Sequence, residues 1–196
     1  MSKDRQTTGT DGLPLPILPP ERDARVLEAL LRIRLREVLR EGMGAVYEVS
    51  VIARLTREPT ARQMLIVSFG CAPENVDRLR GAVFETLGDV AQNGAGVELL
   101  GKVAEQLRRQ HEVNLQSNAW WLDRLSEAYH FGEGFAEQND VGALLARVTA
   151  ANVQATARRM FDEKSYVLAI LRPEHPAPAA SPAADAPETA APDLSR

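Results

Sequence analysis

The sequence predicts an α+β fold: an antiparallel sheet, made of a hairpin and a closing C-terminal strand, with helices packed on one face. Three observations predict it. Apolar residues recur at helical spacing from Val26 to Leu39, and the period then drops to two between Val46 and Leu55. Two short runs, MLIVSF (64–69) and YVLAIL (166–171), are apolar on both faces of a would-be strand. Between those runs lie several stretches with helical stripes and clear stop signals.

The first helix should run from Glu21 to Glu41, with Val26, Leu27, Leu30, Leu31, Leu35, Val38 and Leu39 on one face. Pro20 suits its first turn, and Gly42 suits a position just past its end, where a left-handed conformation is easiest for glycine. Tyr47, Val49, Val51, Ala53 and Leu55 then alternate with Val46, Glu48, Ser50, Ile52 and Arg54, which predicts a strand. TREPTAR (56–62) has turn chemistry, and MLIVSF completes an antiparallel hairpin, read as a strand covered on both sides. Helices follow over about 74–92, 97–116, 118–131, 141–147 and 150–161, the last with Thr149 as cap. Leu122, Leu125 and Tyr129 should form the stripe of the 118–131 helix, and the pair Trp120–Trp121 should divide between core and boundary. YVLAIL closes the sheet. Three strands make a small sheet, and a strand buried on both sides needs neighbours on both edges. The sheet is therefore expected to lack strands that would precede residue 20.

The folded part is expected at 21–172. Residues 1–20 are polar and then proline-rich, which reads as a disordered leader or linker. Eight of the 24 residues from 173 to 196 are alanine and six are proline, which reads as a disordered tail. A net charge of −4 argues against a polyanion partner, so no nucleic acid is expected. The single cysteine, Cys71, excludes an internal disulfide. No 18-residue apolar run spans a membrane, and the N-terminus lacks the apolar core of a secretory signal. As written, the chain is expected to stay where it is made.

Catalytic patterns are scarce. His111 opens HEVNL, so the HExxH zinc motif fails at position 115, and no histidine begins an HxxEH. His130 has no second ligand at useful spacing, and His175 lies in the tail. Ser50, Ser68, Ser117 and Ser126 lack a G-x-S-x-G setting, and Cys71 reads as a small buried thiol. GMGAV (42–46) follows a helix and precedes a strand, the reverse of a phosphate loop. One arrangement stands out: in LREGMGAVYEVSV (39–51), Arg40 and Tyr47 flank a glycine corner beside a strand. Arg40 also suits a solvated last-turn arginine, and Tyr47 an ordinary strand residue.

That segment resembles one in the pitrilysin/insulinase family of zinc metallopeptidases, in its bacterial two-domain branch. IVSFGCAPENVDRL, EQLRRQHEVNLQSNAWWLDRLSEAYHFGEG and SYVLAILRP extend the resemblance over about 21–172. The resemblance implies repeated α+β units enclosing a chamber. In that family the first half carries zinc on HxxEH and a further glutamate. The second half lacks metal, closes the chamber and supplies an arginine and a tyrosine to the substrate. By position these are Arg40, a fixed cation for the substrate backbone or developing oxyanion, and Tyr47, a phenolic donor to the same region. By this resemblance the catalytic half, and the strands that precede the first helix in the family, are expected to be missing from this chain. The resemblance thus implies an incomplete C-terminal, non-catalytic domain that does not hydrolyse peptides alone. It would hold no cofactor itself, zinc belonging to a partner domain or subunit bearing HxxEH. Peptide substrate would be a further partner, and periplasmic family members leave the compartment open. The alternatives are a structural or interaction module of the same fold, pairing with itself through an exposed sheet edge or with another subunit, or a truncated gene product.

Overall fold

The computed structural model describes residues 20–42 and 46–172, without the side chains at 41, 42, 47, 137 and 138. The leader up to residue 19, the corner residues 43–45 and the tail from 173 lie outside the described residues. The chain divides after Tyr166, and the first unit carries all the regular structure described.

Helix α1 (Glu21–Arg36) is the spine of this unit. Glu21 and Asp23 sit in its first turn and Arg34 and Arg36 in its last, each sign matching the helix dipole. Leu27, Leu30, Leu31 and Leu35 are fully buried, so the predicted stripe is the core. α1 packs against the strand that follows it, Val46–Thr56, and against α3 (Val97–Asn114) and α7 (Ala150–Met160). It continues as a wider π turn over Glu37–Gly42.

Strands β1 (Val46–Thr56) and β2 (Arg62–Cys71) form the antiparallel hairpin, with Val51 opposite Val67 and Ile52 opposite Ile66. Val49 and Val51 face the core, joined by the partly buried Leu65, Val67 and Phe69. The other face is open: Ile52 and Met64 are exposed. Helices on one face match the expected class, but β2 is not covered on both sides. Its apolar composition reflects half-burial against α-helices on one face, which periodicity alone does not separate from full burial. A lone hairpin is marginal in water, so its stability comes from this helical layer.

The expected closing strand is absent among the described residues. The sheet has two strands only, and Val167–Arg172 carries neither helix nor strand. A strand exists only where a neighbouring edge takes up its N–H and C=O groups, and apolar composition does not supply that edge.

α2 (Val76–Asn93) follows a single 3₁₀ turn at Pro73–Asn75 and packs on α7. Gly94 ends it at φ 73°, where a Cβ would stand 2.9 Å from the Ala150 carbonyl oxygen. The Arg158 guanidinium donates to the Ala91 carbonyl at 2.7 Å and holds the two helices together. α4 (Asn118–Phe131) starts at a Ser117 cap and stops at left-handed Gly132. Short helices α5 (Phe135–Gln138) and α6 (Val141–Leu145) lead to α7, whose Thr149 cap accepts from Asn152 N–H as expected.

The α4 stripe is the largest departure. Leu122, Leu125 and Tyr129 are exposed, at 68%, 51% and 92%, and only Ala128 of this helix is buried. Neither tryptophan joins the core. Trp121 donates to the Leu115 carbonyl at 2.8 Å and stacks on Phe135, while Trp120 stands edge-on to Trp121. Helical spacing shows that a face is apolar, not what covers it.

One buried ionic network ties the start of α1 to the α6–α7 turn. Asp23, 4% exposed, accepts from Arg147 Nε at 2.6 Å and Nη2 at 2.7 Å, and from Asn152 Nδ2 at 2.9 Å. Burial pushes the carboxyl up, but the hydrogen bonds from Arg147 and Asn152 outweigh it and hold Asp23 below the usual carboxylate value.

Candidate functional site

The helix-to-strand corner is built from two irregularities. On the helical side, Glu37–Gly42 widens into a π turn, a feature that concentrates at functional sites. Leu39 is fully buried within it, while Arg40 is exposed. Glu37 ties the turn to α3 through Lys102, 3.6 Å away, and Glu98 also holds that ammonium at 3.2 Å. The hydrogen bond to Glu98 raises the Lys102 pKa above the ordinary value.

On the strand side, Val46 pairs with Cys71 and Val49 with Phe69, so β1 carries one extra residue across this interval. That is a β-bulge at Tyr47–Glu48. Bulges bend a strand and re-aim side chains, and they gather next to active sites. Val46 and Val49 are both buried, so the two-residue alternation changes phase there. Arg40 therefore lies in the π turn and Tyr47 in the bulge, on either side of a corner whose apex lies outside the described residues. The Tyr47 phenol is likewise outside them. Among the described residues the Arg40 side chain has no hydrogen bond or ion pair, and the residue is exposed.

The outer edge of β1 is a feature that sequence reasoning missed. Ala53 N–H donates to Glu28 Oε2 at 2.9 Å, and Arg32 Nη2 donates to the Val51 carbonyl at 3.3 Å. Glu28 and Arg32 also pair with each other at 2.6 Å. Two side chains of α1 thus occupy part of the edge that an extended peptide would use. Their four-residue spacing was visible in the sequence, but an ordinary surface pair has the same spacing.

The remaining candidates hold no chemistry together. His111 stands edge-on to Trp120, and His130 contacts Glu58 at 3.3 Å on the surface. Cys71 is half-buried against the core, and His175 lies outside the described residues. Among the described residues no group of three or more His, Cys, Asp or Glu is placed to hold a metal ion. No described helix is long and apolar enough to cross a membrane.

No family profile matches the chain. A zinc protease PQQL-like protein of Arabidopsis thaliana is 28% identical over 167 residues, which is 76% of this chain and 17% of that protein. The chain therefore spans about a sixth of the curated relative it matches. The periplasmic protease PqqL of Escherichia coli has the same fold over 74% of this chain and 16% of its own, with TM-score 0.57 and 18% identity. The inactive domain of an M16 peptidase from Pseudomonas fluorescens superposes over 74% of this chain and 35% of its own, with TM-score 0.60 and 17% identity. By sequence and by fold the chain is similar to part of the pitrilysin/insulinase-type M16 zinc peptidases, and by fold to an inactive, non-catalytic domain of that family.

Proposed function

We propose that the chain serves as a non-catalytic C-terminal domain of an insulinase-like zinc protease. In this reading it closes the peptide chamber beside a separate domain or subunit that carries zinc on HxxEH. Arg40 and Tyr47 face the substrate there. Arg40 offers a fixed positive charge to the peptide backbone or the developing oxyanion, and Tyr47 offers its phenolic proton. Hydrolysis itself would need water activated by that partner's metal. The observation that supports this reading is the corner: a solvent-open arginine in a π turn and a tyrosine in a β-bulge, each next to a buried anchor, Leu39 and Val46.

The test is affinity capture of the chain from its own host at native abundance, followed by identification of what copurifies. The reading requires a protein with HxxEH at a fixed ratio. Capture that recovers none sinks it.

A second reading, a structural module that pairs with another subunit without peptidase role, draws on the exposed Leu122, Leu125 and Tyr129 of α4. It predicts a stable complex whose partner lacks a zinc motif. Leu122→Ser with Leu125→Ser would then abolish the complex, and Arg40→Ala would leave every function of the complex untouched.

A further inference from the structure

The side chains that α1 lays along the outer edge of β1 follow a regular progression. Arg32 meets Val51 and Glu28 meets Ala53. Four helical residues advance about 6 Å, and two strand residues about 7 Å, so the next step of the ladder brings position 24 opposite Leu55. Position 24 is alanine, too short to reach the strand. Ala24, 2% exposed, lies at the floor of a cleft of about 700 Å³, lined also by Arg25, Ala53, Arg54 and Leu55 among others. By the two-residue repeat of a strand, the N–H and C=O of Leu55 point toward the same edge as those of Val51 and Ala53.

Arg25 is one of four arginines that line this cleft. It is half-buried, and among the described residues it makes no hydrogen bond and no ion pair within 4 Å. Burial pulls its pKa down, with Glu21 and Glu28 only partly offsetting that and Arg124 and Arg22 adding to it. Of the other charges in the cleft, Arg54 is exposed and keeps its water, Arg124 is held by Glu21, Asp123 and Glu127, Arg57 by Glu133, and Glu58 by His130. A desolvated guanidinium short of negative charge favours a carboxylate. The edge is also closed at one end. A strand entering beside Leu55 cannot run on past Ala53, because Glu28 and Arg32 occupy that stretch. Its chain must stop where Arg25 stands.

We infer that the cleft between Ala24–Arg25 and the Ala53–Leu55 edge of β1 binds the free C-terminal carboxylate of an extended peptide. The carboxylate takes the place at Leu55 that Glu28 takes at Ala53, with Arg25 as its counter-charge. Arg25 precedes Arg40 by 15 residues, about 22 Å along a helix, so this is a site apart from the corner. It stands whether or not the chain has a protease partner.

The test is fluorescence anisotropy of the full chain with N-terminally labelled Val-Thr-Val-Thr-Val, as the free acid and as the C-terminal amide. The free acid should bind at least about tenfold tighter than the amide, the scale of one charge-assisted hydrogen bond. Arg25→Gln should erase that ratio. If that variant fails to fold, the acid-to-amide ratio of the wild-type chain decides alone. Equal affinities, or no binding by either peptide at millimolar concentration, overturn the inference. So does an amidated peptide with an internal glutamate that binds as well as the free acid, because it would move recognition to a side chain.

Discussion

Replacing Asp23 by alanine tests how the unit is held together at the root of its main helix. Asp23 is buried and accepts three hydrogen bonds, two of them the parallel pair from Arg147. Charge-assisted bonds contribute about 1.5–3 kcal/mol each in net terms. The full sum is not lost, because Arg147 is 45% exposed and regains water once its partner is gone. The favourable place of a carboxylate in the first helical turn is lost as well. Together these put the cost at about 2–3 kcal/mol, a fall in melting temperature of about 5–10 °C for a domain of this size. Circular dichroism of thermal and urea unfolding measures it. A double-mutant cycle with Arg147→Ala should give a coupling of about 1 kcal/mol or more. The pH dependence follows from the sign of the shift. The folded-state pKa of Asp23 is depressed, so its contribution is complete above the unfolded value of about 3.9 and disappears as pH falls through the folded value. The gap between the wild type and Asp23→Asn should be constant from neutral pH to about 5 and close below about 4. A cost under about 0.5 kcal/mol, or strictly additive single mutants, would refute the reasoning.

Three further predictions rest on separate observations. Leu31→Ala removes a fully buried side chain from the face of α1 that carries the core and should cost about 2–5 kcal/mol in urea unfolding. Gly94→Ala places a methyl group 2.9 Å from the Ala150 carbonyl oxygen at a positive φ, and should destabilise by about 1–3 kcal/mol. Tyr129→Ser on the exposed face of α4 should leave stability within about 0.5 kcal/mol, since the side chain is 92% exposed; a larger loss would show that α4 buries this face in solution.

The parts of the fold that were legible in the sequence are those set by local rules. The stripe of α1, the change of period at Val46 and the Thr149 cap each depend on neighbouring residues, and each is present in the structure. What escaped depends on what lies across space. YVLAIL has strand composition without a described partner edge, and Leu122, Leu125 and Tyr129 form an apolar face without a described cover. The same holds for the candidate site. Arg40 and Tyr47 could be named from the segment that carries them, but the π turn and the β-bulge leave no periodic trace. The cleft beside Arg25 arises because Ala24 is short where Glu28 and Arg32 are long. That contrast gains meaning only once β1 is known to run along this face of α1.

The central claim is that this chain completes a chamber whose metal sits on another domain. The most direct measurement is peptide hydrolysis by the HxxEH-bearing subunit it captures, with this chain added as wild type or as Arg40→Ala. The account predicts that the wild-type chain raises the rate, and that Arg40→Ala lowers kcat/KM about a hundredfold while binding the subunit equally well. A subunit that hydrolyses peptides at the same rate with either chain, or with none, would contradict it.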